Sequence, residues 1–144
     1  MYAKWISAIV LSTGANMASA EKAPAPVLST PEQDQFFNAI SSHCGAAYSG
    51  VVMSTDAADA DFAGESLVMH VMSCSDEELR VPFFVGDDRS RTWVITKTGS
   101  GLQLKHDHRH EDGTSDDLTM YGGMTNDLGT SEVQYFPADA PTKA

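Results

Sequence analysis

The segment from Arg91 to Glu111 constrains the fold most, because it contains two candidate β-strands, residues 91–98 and 101–111, on either side of a glycine-containing turn. In the second strand apolar and polar residues alternate, and a period of two is typical of a β-strand. The dipeptide Gly99-Ser100 separates the strands, and a two-residue loop that starts with glycine favours a type II′ hairpin turn. That loop length predicts the register of the hairpin. The residues expected to face each other are Ile95 and Leu104, Trp93 and His106, and Arg91 and His108.

Three histidines extend the apolar face of the second strand. That face carries Leu102, Leu104, His106, His108 and His110, and we expect it to point inward. The other face carries Gln103, Lys105, Asp107, Arg109 and Glu111, and we expect it to contact water. The histidines are therefore the residues of this chain that are best suited to bind a metal or a ligand.

Imidazole is the commonest side-chain metal ligand. His106 and His108 are about 6–7 Å apart along a strand and can converge on one Zn or Cu ion. A further ligand would come from a neighbouring strand or from the acidic residues at 111–117. The alternative is packing, with the Trp93 ring stacked on His106 and the other imidazoles hydrogen-bonded at the end of the sheet.

A small-molecule site is predicted at the same place. Arg91 is expected on the same side as His108, and together with Trp93 and His110 it would form a polar inner cluster. An arginine at such a site can bind an anionic group. The serine-hydrolase motif G-x-S-x-G is absent from the sequence, and so is a glycine-rich phosphate loop.

Residues 1–20 are typical of a signal peptide. Lys4 precedes an apolar segment, and Ala18-Ser19-Ala20 is a small-x-small cleavage site. Residues 21–29 then predict a flexible leader, and residues 30–144 a single globular domain. The expected location is periplasmic or secreted, with no membrane span left after cleavage.

The chain has two cysteines, Cys44 and Cys74. In an exported protein an even number favours a disulfide, which would contribute roughly 3 kcal/mol by restricting the unfolded chain. A redox-active pair is the alternative, but C-x-x-C spacing is absent.

A net charge of −11 argues against binding to nucleic acids or to anionic lipid surfaces. It is compatible with simple solubility and with cation binding. The expected partners are therefore a small molecule or a metal ion. The oligomeric state is left open.

The pattern along the domain predicts one helix followed by short strands. Thr30, Pro31 and Gln33 form a capping signature, and the helix is expected to run to Cys44 and to end at Gly45. The other expected strands are residues 48–53, 67–74, 79–85, 118–121 and 132–136, with Pro82 marking an edge or a bulge. The predicted fold is mainly β: an N-terminal helix packed on a curved antiparallel meander sheet or small lipocalin-like barrel, with one disulfide.

Several motifs resemble those of one group of proteins. The stretch DRSRTWV at residues 88–94 and LKHDHRHEDG at residues 104–113 are similar to the signature of uncharacterised exported bacterial proteins. The resemblance continues through Tyr121-Gly122-Gly123 and residues 136–139. It implies export and carries no established activity. A looser similarity to calycin barrels rests on meander order and an early strand that contains tryptophan.

These observations predict an exported, non-enzymatic binding module that holds a small ligand or a divalent metal at a histidine-lined end of a β-sheet. Two alternatives are also compatible with the sequence. One is a metal-assisted hydrolase with an acidic residue from 111–117 as its base. The other is a structural or interaction protein of the cell envelope.

Overall fold

The structure is a computed structural model, and it describes residues 29–144. The predicted signal peptide at 1–20 lies outside the described residues, and so does the predicted leader except for Ser29. Within 29–144, no helix combines the length and apolar character needed to cross a bilayer.

Helix α1 spans Pro31–Ser41 and begins with the predicted capping box. The Gln33 backbone N–H donates to the Thr30 hydroxyl, and the Gln33 side chain accepts from the Thr30 backbone N–H. The helix is shorter than predicted, because the N–H groups of His43 and Cys44 bond three residues back and tighten the chain into a turn. Cys44 therefore lies in the turn that follows α1, and Gly45, with a φ of +85°, completes that turn.

Seven strands form an antiparallel sheet. Their bounds are β1 Ala47–Gly50, β2 Leu67–His70, β3 Ser73–Cys74, β4 Glu78–Val85, β5 Asp88–Thr98, β6 Gly101–His108 and β7 Tyr121–Met124. The order is β1-β2-β4-β5-β6-β7, and β3 pairs with β4. Within the described residues β1 and β7 each pair with one strand, so the sheet is open. A six-residue 3-10 helix at Ala57–Phe62 occupies the predicted loop between β1 and β2.

Pro82 lies inside the sheet, not at its edge. It faces Thr92 of β5, and its other side faces the interruption between β2 and β3. The predicted single strand over residues 67–74 is therefore two strands. The break suits a proline, which has no N–H to donate to a neighbouring strand. The predicted bulge is also present, since the register of β4 against β5 shifts between Phe83 and Val85.

The central hairpin has the predicted register. Trp93 faces His106, Ile95 faces Leu104 and Arg91 faces His108. The predicted turn type is wrong, because a type II′ turn requires a positive φ at Gly99 and the positive φ belongs to Gly101, at +137°. A methyl group on Gly101 would lie only 2.4 Å from the Thr125 hydroxyl, so this position also requires glycine for space.

The C-terminal third differs most from the expectation. Residues 118–120 form a bend, in which the Leu118 N–H donates to Asp116 and Met120 has a φ of +53°, so β7 starts at Tyr121. Residues 132–136 are not a strand, because side chains of this loop bond its own backbone: the Thr130 hydroxyl accepts from Val133 and the Gln134 amide donates to Leu128.

The chain ends in a short helix, α2, at Ala140–Lys143. It lies beside β7, where the Gly122 N–H donates to the Thr142 hydroxyl and the Asp139 N–H donates to the Gly122 carbonyl. These bonds satisfy the N–H and carbonyl of Gly122 on the β7 edge, which would otherwise be open to pairing with another chain.

Helix α1 packs on one face of the sheet and builds the core there. Phe37 is buried against Leu79, Ile95 and Leu102. The predicted disulfide between Cys44 and Cys74 links the turn after α1 to β3, with the two Cα atoms 6.2 Å apart. The helix and the disulfide therefore cover only one end of this sheet face.

Candidate functional site

The other end of the same sheet face is an open groove with a volume of about 500 Å³. Its lining is almost entirely aromatic, apolar or cationic. The residues are Phe62, Met69, Phe83, Arg91, Trp93, His106 and Tyr121. We call this the sheet groove.

The strand register explains why these side chains meet. One row across the sheet pairs Met69 with Phe83 and Phe83 with Arg91. The next row pairs Trp93 with His106 and His106 with Tyr121. Residues that face each other in an antiparallel pair project to the same side, so both rows form one surface.

Phe62 forms a wall of the groove from outside the sheet. It is the last residue of the 3-10 helix, whose first turn is capped by the Asp56 side chain. The Phe62 ring packs edge-on against Phe83 with 6.3 Å between centroids, and the Arg91 guanidinium lies 5.6 Å from the Phe62 ring centre. The sequence does not reveal this contribution, because the 57–62 segment is rich in alanine and aspartate and shows no core pattern.

His106 lies at the centre of the groove floor and is only 4% exposed. Its ring is between Trp93, at 4.7 Å, and Tyr121, at 4.8 Å. Burial lowers the pKa of His106 below its ordinary value of 6.5, and the nearby charges of His108 and Arg91 lower it further. His106 is therefore a neutral imidazole at neutral pH. Its Nδ1 is buried and lacks a hydrogen-bond partner among residues 29–144.

His108 is held by two polar side chains. Its Nε2 lies 3.0 Å from the Ser90 hydroxyl, and its Nδ1 lies 3.2 Å from the Asp116 carboxylate. The ring stacks on that of His106 with a centroid distance of 5.7 Å and an interplanar angle of 21°. The two imidazoles therefore share one face as predicted, and their rings are stacked nearly parallel to each other.

Arg91 stands where the sheet groove meets a second, more polar cavity of about 410 Å³. Arg91, His106 and Tyr121 line both cavities, and His108, Leu118 and Thr142 extend the second one. The Arg91 guanidinium pairs with Asp88. Partial burial opposes ionisation of Asp88, but hydrogen bonds from Ser90 and the charge of Arg91 bring the pKa of Asp88 down to about 2. We call this second cavity the polar annex.

His110 is not part of either cavity. The strand ends at His108, and the chain reverses at Gly113, whose N–H donates to the His110 carbonyl. The prediction that three histidines share one strand face is therefore wrong for His110. Its side chain is 57% exposed, and its Nδ1 is 3.9 Å from Asp116.

A second expectation fails on the opposite face of the sheet. Asp107 was expected to contact water but is 4% exposed. Its carboxylate accepts a hydrogen bond from Arg109 Nε at 3.1 Å and lies 3.4 Å from Arg80 Nη1. The alternation of charge on this face thus marks a cross-strand ion-pair cluster rather than a purely solvated surface.

A metal centre is not preassembled in the part of the chain that the structure describes. Among residues 29–144, no three His, Cys, Asp or Glu side chains are placed so that they could hold one ion. Both ring nitrogens of His108 already face a partner, Ser90 or Asp116.

Comparisons of the chain with models of protein families, with curated proteins and with solved structures found no match.

Proposed function

We propose that this protein is an exported binding module whose sheet groove holds a small ligand with a flat aromatic body and an acidic group. The observation that carries the proposal is the convergence of four aromatic side chains, one arginine and one neutral histidine on a groove that α1 leaves uncovered.

The aromatic body of the ligand would contact the half of the groove that is built from rings. Trp93 and Tyr121 remain 39% and 40% exposed, although both lie on the side of the sheet that forms the core under α1. Large aromatic surface left in contact with water next to a core is typical of a binding groove. A flat ring entering between Phe62, Trp93 and Tyr121 would bury that surface.

The acidic group of the ligand would lie near Arg91. Among residues 29–144, Arg91 is the one permanent cation that lines either cavity, and a guanidinium binds a carboxylate or sulfonate through paired hydrogen bonds. The ligand would compete with Asp88 for that guanidinium. His106 would contribute a neutral ring nitrogen that can donate or accept a hydrogen bond.

A small organic ligand is favoured over a metal ion. Both ring nitrogens of His108 already face Ser90 or Asp116, and among residues 29–144 no three His, Cys, Asp or Glu side chains are grouped, whereas a Zn²⁺ site needs three or four ligands at about 2.0–2.3 Å from one point. The Cys44–Cys74 disulfide supports the exported location, because disulfides persist in oxidising compartments.

The test uses two dyes that differ in one group. 8-Anilinonaphthalene-1-sulfonate carries an aromatic body and a sulfonate, and N-phenyl-1-naphthylamine is the same ring system without the charge. The chain has two tryptophans, so in a Trp5→Phe background Trp93 is the only one, and energy transfer from Trp93 to the bound dye reports on the groove directly.

We expect saturable binding of the sulfonate dye at one site. Arg91→Gln should weaken it about tenfold, in line with the contribution of a charge-assisted hydrogen bond, and should leave the uncharged dye unaffected. Arg89→Gln is the matched control, because Arg89 lies over Phe84, outside both cavities. Equal effects of Arg91→Gln and Arg89→Gln on the sulfonate dye would refute the proposed role of the groove.

A further inference from the structure

Three side chains, of which His108 lines the polar annex, are arranged like the triad of serine hydrolases. The Ser90 hydroxyl lies 3.0 Å from His108 Nε2, and His108 Nδ1 lies 3.2 Å from the Asp116 carboxylate. Each ring nitrogen thus faces the partner type that this chemistry requires, a hydroxyl at Nε2 and a carboxylate at Nδ1. Such triads are recognised by geometry and not by sequence order, so the absence of G-x-S-x-G does not exclude one.

Asp116 is itself held in place by the backbone. The Leu118 N–H donates to Asp116 Oδ1 at 2.9 Å, which leaves Oδ2 directed at His108. The Asp116 N–H donates to the His108 carbonyl at 3.1 Å, so the two residues are also tied through the main chain. This arrangement favours the tautomer in which His108 carries its proton on Nδ1 and leaves Nε2 free to accept one from Ser90.

Arg91 supplies the positive charge that an acyl-transfer site needs. One of its terminal nitrogens, Nη1, lies 3.5 Å from the Ser90 hydroxyl oxygen. A negative oxygen that develops next to Ser90 would therefore form within reach of a guanidinium, which is a recognised means of oxyanion stabilisation. Ser90, His108 and Asp116 are each only partly buried, so a substrate and water can reach them.

The geometry points to a second activity: metal-independent hydrolysis of small carboxylic esters, with Ser90 as nucleophile, His108 as general base and Asp116 as positioning residue. This inference rests on the proposed function in one respect, since the sheet groove would hold the apolar or aromatic part of the ester.

The reaction has two balanced halves. Ser90 Oγ attacks the ester carbonyl carbon while His108 Nε2 takes the hydroxyl proton, and the tetrahedral oxyanion contacts Arg91. Collapse of that intermediate breaks the bond to the alcohol, which leaves with the proton from His108. Water then attacks the acylated Ser90 with His108 again accepting a proton, the carboxylic acid departs, and the proton returns to Ser90 Oγ.

The first experiment looks for the nucleophile. The full chain is treated with diisopropyl fluorophosphate, and the modified residue is located by peptide mass spectrometry. We expect one diisopropylphosphoryl group on Ser90, with fluoride released, and no adduct on the His108→Gln variant. Ser100→Ala is the matched control, because Ser100 lies in the β5–β6 turn, and it should be labelled as the wild type is.

The second experiment measures hydrolysis of 4-nitrophenyl acetate and 4-nitrophenyl butyrate in the presence of EDTA. Ser90→Ala and His108→Gln should each lower kcat/KM by on the order of 10³-fold or more. Asp116→Asn should lower kcat with KM nearly unchanged, and Asp116→Glu should restore part of kcat. A purely structural role for Asp116 would not separate kcat from KM in this way.

Dye binding and ester hydrolysis together distinguish a failure of the triad from a failure of the binding function. If Ser90→Ala still binds the sulfonate dye as the wild type does but has lost hydrolysis, both proposals stand. If the wild type binds the dye but neither reacts with the fluorophosphate at Ser90 nor hydrolyses the esters faster than Ser90→Ala does, the triad is refuted and the binding function is not.

Discussion

His106 shows how one buried residue can define the character of a site. Its ring completes the aromatic floor of the sheet groove, and burial lowers its pKa. A residue that the sequence predicts as a metal ligand thus lies in an environment that suits a neutral hydrogen-bonding group. Its buried Nδ1 is the atom in the groove that lacks a partner within 29–144.

His106 should make the stability of the fold depend on pH below neutrality. Its pKa is lower in the folded chain than the ordinary 6.5, so the unfolded chain takes up the proton first. Acidification below about pH 6.5 therefore favours unfolding, until the pH falls below the folded pKa. The slope from one proton is at most about 1.4 kcal/mol per pH unit.

The measurement is urea unfolding between pH 7.5 and pH 5. His106→Gln should flatten the decline of the free energy of unfolding on the acid side of pH 6.5. His110→Gln replaces a histidine that is 57% exposed and should leave the decline as it is in the wild type. A His106→Gln protein with the wild-type slope would contradict the assignment.

At the residue scale, sequence reasoning succeeded where strand parity and a short turn were sufficient. The pairing of Trp93 with His106 follows from a two-residue loop and a period of two. The prediction from alternation failed where an irregular turn sets the position of a residue. The reversal at Gly113 removes His110 from the face and brings Asp116 to His108, and neither result follows from alternation.

At the element scale, Gln33 joins α1 to the far end of the sheet. Its side-chain nitrogen donates to the Thr125 hydroxyl at 3.1 Å, and that hydroxyl also accepts from the Leu102 N–H. The same side chain completes the capping box of α1. One buried amide therefore stabilises the start of the helix and its contact with the sheet at once.

Gln33→Ala should cost about 2 kcal/mol of unfolding free energy, because it removes a cap and leaves buried groups without a partner. Gln35→Ala is the control, since Gln35 is an exposed glutamine of the same helix. Urea unfolding gives the free energy of unfolding of both variants, and only Gln33→Ala should show the large loss. Similar small losses in both variants, below about 0.5 kcal/mol, would contradict the stabilising role of the Gln33 side chain.

The elements themselves were predictable to different extents. The start of α1 was visible in the sequence, because Thr30, Pro31 and Gln33 satisfy a local capping pattern. The start of β7 was not, because it depends on the Asp116–Leu118 bend and on a positive φ at Met120. The 3-10 helix that supplies Phe62 to the groove has no periodic apolar pattern to reveal it.

At the scale of the whole molecule, two tethers hold the ends of the domain to the sheet. The disulfide ties the α1 turn to β3, and Lys105 of β6 pairs with Asp139 beside α2 at 2.5 Å. The bond from Lys105, followed by those from Thr142, lowers the pKa of Asp139 to about 2 from the ordinary 3.8. The C-terminal segment that lines the polar annex through Thr142 therefore depends on an ionised Asp139.

The C-terminal tether should weaken in acid. Because the folded pKa of Asp139 is lower than its unfolded value, its stabilising effect is present above pH 3.8 and is lost as the pH falls towards 2. Asp139→Asn should lower Tm at pH 7 and remove part of the drop between pH 4 and pH 2. Asp139→Asn removes only part of this drop in Tm, because the carboxyl group of Asp88 titrates in the same pH range.

Asp87→Asn is the control for this effect, since Asp87 lies in the exposed turn between β4 and β5. Thermal unfolding at intervals of half a pH unit is the measurement. An acid drop that is identical in Asp139→Asn and in the wild type would contradict the role of this ion pair.

Removing the disulfide should cost about 3 kcal/mol, a large part of the 5–15 kcal/mol that is typical of a domain. A Cys44→Ala/Cys74→Ala double variant, compared by urea unfolding with the wild type in the presence and absence of reductant, measures this. The reduced wild type should match the double variant. A loss below about 1 kcal/mol in both would mean that α1 packing alone holds this end of the sheet.

The proposed function requires that the uncovered half of the sheet face binds a ligand. Backbone amide shifts of the ¹⁵N-labelled full chain, followed during titration with 8-anilinonaphthalene-1-sulfonate, test it most directly. We expect saturable shifts that cluster at the groove lining, with the largest around Arg91, Trp93, His106 and Tyr121, and little change in α1. Shifts that scatter over the surface, or that cluster away from these residues, would contradict it.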